Sequence, residues 1–305
     1  MVARAHERFA AERAKTRHTR RADAALPNLV VIGGLKCGTT SLHHYLGLHP
    51  EIGMSRPKEL NFFVEELNWD LGEDWYANHF SAEDPVRGET SPHYTNVPRF
   101  AGVAERMRQT LGEDARVVYM VRDPIDRTLS HYLHNIGGGY DDRPLEEALA
   151  DEGSAYIQRS LYAKQVEPYL EQFERERILI VAQNDLDDET ERTMSRVFAF
   201  CGVDAGFSSP QFTRRWETGS AKGGGGFRLM DRAVRLPGLR TLDRNFDRLP
   251  ESLRWIVERI VHDPGSGEAP KPELPAALRE RLVEVFRPDL DRIEEISGRP
   301  FGWLE

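Results

Sequence analysis

The sequence predicts an α/β fold, a parallel sheet flanked by helices, and three stretches carry that prediction. Residues 29–46, LVVIGGLKCGTTSLHHYL, read as strand, glycine loop and helix. Residues 116–135, RVVYMVRDPIDRTLSHYLHN, read as a buried strand running straight into a helix. Residues 156–201 add a helix, a strand at 178–182 and a second helix from 189. Strands alternating with helical patterns are what parallel βαβ units require.

Composition sets the frame. A chain of 305 residues, 39% of them hydrophobic, can bury one sizeable core. A single domain is expected over 27–305, preceded by a basic helix or tail at 1–26. That tail is rich in arginine, and its apolar face is mostly alanine; it reads as solvated, with peripheral membrane contact left open. No apolar run approaches the roughly 18 residues of a spanning helix, and no signal-peptide core is present, so a cytoplasmic location is expected. Cys37 and Cys201 give no disulfide framework. A net charge of −9 argues against a nucleic-acid binder.

In the first element, residues 30–32 form the strand, and Gly33, Gly34 and Gly38 let the backbone turn with its N–H groups inward. Thr39, Thr40 and Ser41 add hydroxyls where a helix N-terminus favours anions. The loop is a phosphate cradle. It is not the nucleoside-triphosphatase version, which places lysine directly after the second glycine. Thr39 stands there, and the lysine is Lys36, inside the loop. No clear Walker-B acid follows a later strand, so the site suits Mg²⁺ poorly. A plain glycine turn is the alternative reading, weakened by one lysine and three hydroxyls. Cys37 is a thiol near a helix N-terminus, yet a small space-filling residue is the better account of it.

Next, Lys58 and Glu59 of KELNFF adjoin Phe62 and Phe63, so the charged pair is expected to be held against the core. In GETSPHY, residues 89–91 end a strand and Pro92 opens a turn that carries His93. In the second informative element, Asp123 is the N-cap and Pro124 the first helical residue. Arg122 therefore ends the strand and Ser130 lies two turns along the helix, both facing the crevice where open α/β sheets bind ligands. A structural salt bridge is the alternative for Arg122. Pro168 is expected to interrupt or open a helix, and Pro288 to break the C-terminal helix of residues 275–297, with Gly298 as its stop. Residues 213–249 are locally basic, and Gly223 begins the one low-complexity run.

With these motifs in hand, the chain from about Leu29 onward resembles the sulfotransferases that use 3′-phosphoadenosine 5′-phosphosulfate (PAPS), in the branch of heparan-sulfate sulfotransferases and their bacterial relatives. GLKCGTTSL is similar to that family's 5′-phosphosulfate loop, VRDPIDRTLSHY to its 3′-phosphate motif, and KELNFF to the segment bearing its catalytic glutamate, with Leu60 where proline is usual. The resemblance implies a P-loop NTPase-like three-layer sandwich. It implies that Lys36, Cys37, Gly38, Thr39, Thr40 and Ser41 hold the 5′ side of PAPS, and that Arg122 and Ser130 hold its 3′-phosphate. Lys222 and Gly223 resemble the late loop over the nucleotide. Glu59 is implied as base, with Lys58 and His93 toward the acceptor and His93 as the rival base. Adenosine 3′,5′-bisphosphate would be the product, with no metal required.

A P-loop kinase or NTPase is the runner-up, opposed by the displaced lysine and the Arg122/Ser130 pair. A binding module without turnover is the third reading. The acceptor is open among carbohydrate, lipid and small natural product, as is the oligomeric state.

Overall fold

In the computed structural model, which describes residues 18–213 and 274–305, five short strands pair in parallel in the order β2-β3-β1-β4-β5. They are β1 Leu29–Gly33, β2 Ile52–Met54, β3 Val86–Thr90, β4 Arg116–Val121 and β5 Ile178–Ala182. Leu29 to Ile32 and Val117 to Val121 are fully buried. A strand covered on both faces reads as a continuous apolar run, as these two do. Val30 pairs with Glu89 of β3 on one side and Val117 of β4 on the other. β1 is thus the central strand: the chain lays β2 and β3 on one side of it and then crosses over to lay β4 and β5 on the other. The site lies at the carboxyl ends of the strands beside that crossover.

Helices flank this sheet, giving the three-layer α/β arrangement. They are α1 Thr39–Leu46, α2 Glu73–Ala77, α3 Val103–Leu111, α4 Pro124–Gly138, α5 Leu145–Ala148, α6 Ala155–Gln158, α7 Tyr162–Leu170, α8 Gln183–Asp188, α9 Thr190–Cys201 and α10 Ala276–Ser297. Asp123 caps α4 as expected, accepting from the N–H groups of Ile125 and Asp126 at 2.9 Å each. Gly202 and Gly298 close α9 and α10 in the left-handed conformation.

Two proline expectations are corrected. The 156–173 helix divides at residues 159–161, whereas Pro168 lies inside α7. The division has a tertiary cause. Thr128 donates to the Tyr156 carbonyl at 3.1 Å, Ser160 donates to the Pro124 carbonyl at 3.0 Å, and Asp289 starts α7 afresh by accepting from the N–H groups of Ala163 and Lys164. Pro288 does not break α10. A mid-helix proline costs about 3 kcal/mol. Leu278, Leu282, Phe286, Leu290 and Ile293 bury one stripe across it, and each such side chain contributes about 1.5–3 kcal/mol.

The tail expectation is corrected in part. Residues 1–17 lie outside the described residues; residues 19–23 are exposed, as a solvated tail would be, but the backbone of 19–24 is pinned. Arg21 N–H donates to Asn78 Oδ1 at 2.8 Å, Ala82 N–H to the Asp23 carbonyl at 2.7 Å, and Ala24 bridges Ser81. Lys222, Gly223 and the basic run from 214 onward also fall outside the described residues.

Candidate active site

The loop after β1 is held from three sides. Gly34 N–H donates to the Met120 carbonyl of β4 at 2.6 Å, and Cys37 N–H donates to the Gly34 carbonyl at 3.2 Å. Gly33, at φ 152°, passes so close to Thr95 that a Cβ would lie 2.0 Å from Thr95 Oγ1. Lys36 stands at φ 67°, in the left-handed region. Non-glycine residues are held there only when the surroundings over-determine them. Thr39, Thr40 and Ser41 are buried in the first turn of α1, which has no side-chain cap and no acidic residue. An uncapped N-terminus presents N–H groups and a positive dipole end to an anion. Cys37 is fully buried, with Sγ 3.7 Å from Tyr162 Oη, and burial pushes its thiol up. It fills space, and its N–H is already engaged in the loop.

On one flank, β4 delivers Arg122. Its Nη1 donates to the Lys36 carbonyl at 3.4 Å and its Nη2 meets Asp126 Oδ2 at 3.3 Å. Arg122 therefore joins the loop to α4, and the ion pair foreseen as its alternative role is present beside that contact. Ser130 is half-buried two turns down α4.

On the other flank, the end of β3 holds the Glu59 segment. The Glu59 N–H donates to the Thr90 carbonyl at 3.0 Å, hanging the segment from the end of the strand next to β1. Glu59 stands at φ 69° and Asn61 at φ 49°. Lys58 Nζ lies 2.6 Å from Glu59 Oε1. The expectation that the pair is held against the core is met by Lys58, whose side chain is 17% exposed, and corrected for Glu59, at 39%. Burial pushes the Glu59 carboxyl up, but Lys58, by charge and hydrogen bond, with His93 and Arg159 behind it, holds it below the ordinary value. His93 loses the advantage that its usual pKa suggests. Burial and then the Arg159 charge push it down to about 4 against the pull of Glu59, and its Nδ1 is buried without a partner among the described residues.

Sequence reasoning missed three neighbours. Arg159 is 5% exposed, donates Nη2 to the Pro92 carbonyl at 2.7 Å, and is pushed down to about 9 by burial and then Arg127. It sits at the helix division, a position that side-chain bonds create and that no local pattern marks. Arg127 is fully buried on Ser160 Oγ at 2.5 Å. His134 lies one turn beyond Ser130 on α4, so helical spacing did offer a signal for it. Burial and then Lys36 push it down while Glu59 opposes, and its Nδ1 is buried without a partner among the described residues. Among those residues, no group of three or more His, Cys, Asp or Glu side chains is arranged to hold a metal.

The site is thus a cationic, N–H-lined cradle with one ionised carboxylate at its mouth. It can grip an anionic nucleotide and accept a proton from an incoming nucleophile.

Comparison with known proteins agrees with that chemistry. A family model described as Sulfotransferase domain matches residues 26–219. The membrane-associated sulfotransferase kil1 of Dictyostelium discoideum is 38% identical over 116 residues, covering 36% of this chain and 23% of that protein. Human heparan sulfate glucosamine 3-O-sulfotransferase 3B1 is 23% identical over 288 residues, covering 91% of this chain and 65% of that protein. The chain therefore spans less than two thirds of either relative. The crystal structure of a sulfotransferase from Alicyclobacillus acidocaldarius superposes with a TM-score of 0.62 at 24% identity, over 91% of this chain and 98% of that one, and shows the shared fold. These likenesses do not favour the kinase or NTPase alternative. The cytoplasmic expectation is overturned by the membrane-associated relative. That no helix among the described residues is long and apolar enough to cross a membrane does not restore it.

Proposed function

The chain belongs to the sulfotransferase domain family, and from that premise we propose that it moves a sulfuryl group from PAPS to a hydroxyl or amine by in-line displacement, within one domain at 27–305. The observation that carries the reading is the convergence of three adjacent parallel strand ends. β1 opens into the Lys36 loop, Arg122 directly follows β4, and the end of β3 holds the Glu59 segment.

The residues suit PAPS on their own chemistry. The uncapped, acid-free start of α1 with its buried hydroxyls fits a 5′-phosphosulfate, and Arg122 with Ser130 fits a separate phosphate on the other side of the loop. PAPS, when bound, supplies the sulfuryl group, and adenosine 3′,5′-bisphosphate is what remains. Glu59 takes the acceptor proton as the acceptor's bond to sulfur forms and the bond to the phosphate oxygen breaks. Lys36 and the loop N–H groups meet the charge that grows on that leaving oxygen. Arg122 and Ser130 supply orientation from a distance.

On the acceptor side, Arg159, Arg99 and Lys58 act on His93 against the single carboxylate of Glu59, and Lys58 and Arg56 act on His43, so among the described residues cations outnumber anions at the mouth of an acidic protein. That favours an acceptor bearing negative charge, a glycan or a small molecule. The experiment is incubation of PAPS labelled in its sulfur with fractionated cell extract, followed by mass identification of labelled product. Label in a sulfated product supports the proposal. Transfer of the γ-phosphate from ATP, with none from PAPS, would overturn it.

A further inference from the structure

Beneath the segment that carries Glu59 lies a second, fully buried glutamate. Glu89 of β3 has no exposed surface, and hydroxyls of three residues converge on its carboxyl group. Tyr76 and Tyr94 each donate to Oε1 at 2.6 Å, and Ser91 donates to Oε2 at 2.8 Å. Each of these partners also touches the 59–63 segment above. Ser91 Oγ accepts the Asn61 N–H at 3.0 Å, and Tyr94 Oη accepts the Phe63 N–H at 3.5 Å. The Tyr76 ring stacks on Phe62 with centroids 4.3 Å apart, and Phe63 packs on both tyrosines at 5.3 Å.

The direction of each hydrogen bond matters. A hydroxyl has one proton, so by taking the Ser91 and Tyr94 protons Glu89 turns the lone pairs of both oxygens toward backbone N–H groups. Those N–H groups follow Glu59 by two and four residues, in a stretch where Glu59 and Asn61 both stand at positive φ. Strain of that kind persists only where the surroundings over-determine it. Glu89, fixed by β-sheet pairing to Val30 of the strand that opens the loop, supplies that determination.

We propose that Glu89 is a positioning residue: through Ser91 and Tyr94 it fixes the strained backbone that aims Glu59 at the acceptor. The proposal rests on the reading of Glu59 as the base. It assigns Glu89 no contact with acceptor or nucleotide.

The test is a double-mutant cycle of Ser91→Ala with Glu59→Gln, with Glu89→Gln as a second probe of the same link that preserves side-chain shape. Turnover is measured with labelled PAPS and a de-O-sulfated heparan oligosaccharide as acceptor probe, and with water as acceptor in its absence. Affinity for adenosine 3′,5′-bisphosphate is measured beside it. Ser91→Ala is expected to slow turnover roughly 10–100-fold with nucleotide affinity within about twofold, and to slow it no further once Glu59 is Gln. Glu89→Gln should slow turnover in the same selective way, because its amide must donate to Ser91 where the carboxylate accepted. An equal loss from Ser91→Ala in both backgrounds, or a fall in nucleotide affinity in step with rate, would overturn the proposal while leaving Glu59 as base. If Glu59→Gln alone keeps its rate, the reading of Glu59 fails and this inference fails with it.

Discussion

Lys58 Nζ stands 2.6 Å from Glu59 Oε1, and this pairing, with the His93 and Arg159 charges behind it, offsets the burial that would otherwise raise the carboxyl. Glu59 is therefore ionised and able to accept a proton throughout the neutral range. His93 is also proton-free there, being pushed down to about 4. A pH profile of the wild-type protein cannot tell the two bases apart, so substitution must.

Glu59→Gln keeps the side-chain shape and removes the basic oxygen, so turnover should fall roughly 10²–10⁴-fold with nucleotide affinity intact. His93→Asn should cost much less. Steady-state rates beside calorimetric binding settle the order, and a dead asparagine variant with an active glutamine variant would reverse the assignment.

The sign of the pH dependence follows from the depressed Glu59 value. The carboxylate is present above the ordinary carboxyl value and is lost only as pH falls through its lowered one. The acid limb of kcat/KM should lie below about pH 4.5. Lys58→Met removes the main opposing cation and should move that limb upward, with His93, Arg159 and His134 still facing the carboxylate. An unmoved limb would show that another group limits the rate.

Lys36→Ala should lower turnover more than it weakens product binding, since the ammonium meets charge that grows in the transition state. The comparison is kcat against affinity for adenosine 3′,5′-bisphosphate. A pure KM effect would make Lys36 a ground-state anchor.

Folding stability should also report a buried histidine. His43, paired through Nδ1 with Thr90 Oγ1 at 3.0 Å, is pushed down to about 3 by burial and then Lys58. Its contribution is fully present above about pH 6.5 and is lost as pH falls, at about 1.4 kcal/mol per pH unit. Urea unfolding of wild type and His43→Asn at pH 6.5 and 5 should show the shallower decline in the variant. Parallel declines would contradict the assignment.

Much of this site was legible because its chemistry is written locally. The glycines, Lys36 and the three hydroxyls sit within one loop, and Asp123–Pro124 announces the helix that follows Arg122. What escaped depends on contacts distant in sequence. Arg159 is placed by a helix division that Ser160, Thr128 and Asp289 impose from elsewhere in the chain. Pro288 is overridden by the apolar stripe it interrupts. The sequence setting of Glu59 left two opposing effects in balance, and the contact with Lys58, together with His93 and Arg159 brought up from distant parts of the chain, decides between them.

The central claim is that the loop and Arg122 together select a nucleotide with a separate 3′-phosphate. Calorimetry in EDTA tests it most directly, comparing adenosine 3′,5′-bisphosphate with ADP on wild type and on Arg122→Ala. Binding of the bisphosphate far more tightly than ADP, without Mg²⁺, and weakened by about 2–5 kcal/mol in the variant, is the predicted result. Equal affinity for the two nucleotides, or an Arg122→Ala protein that binds the bisphosphate as wild type does, would contradict it.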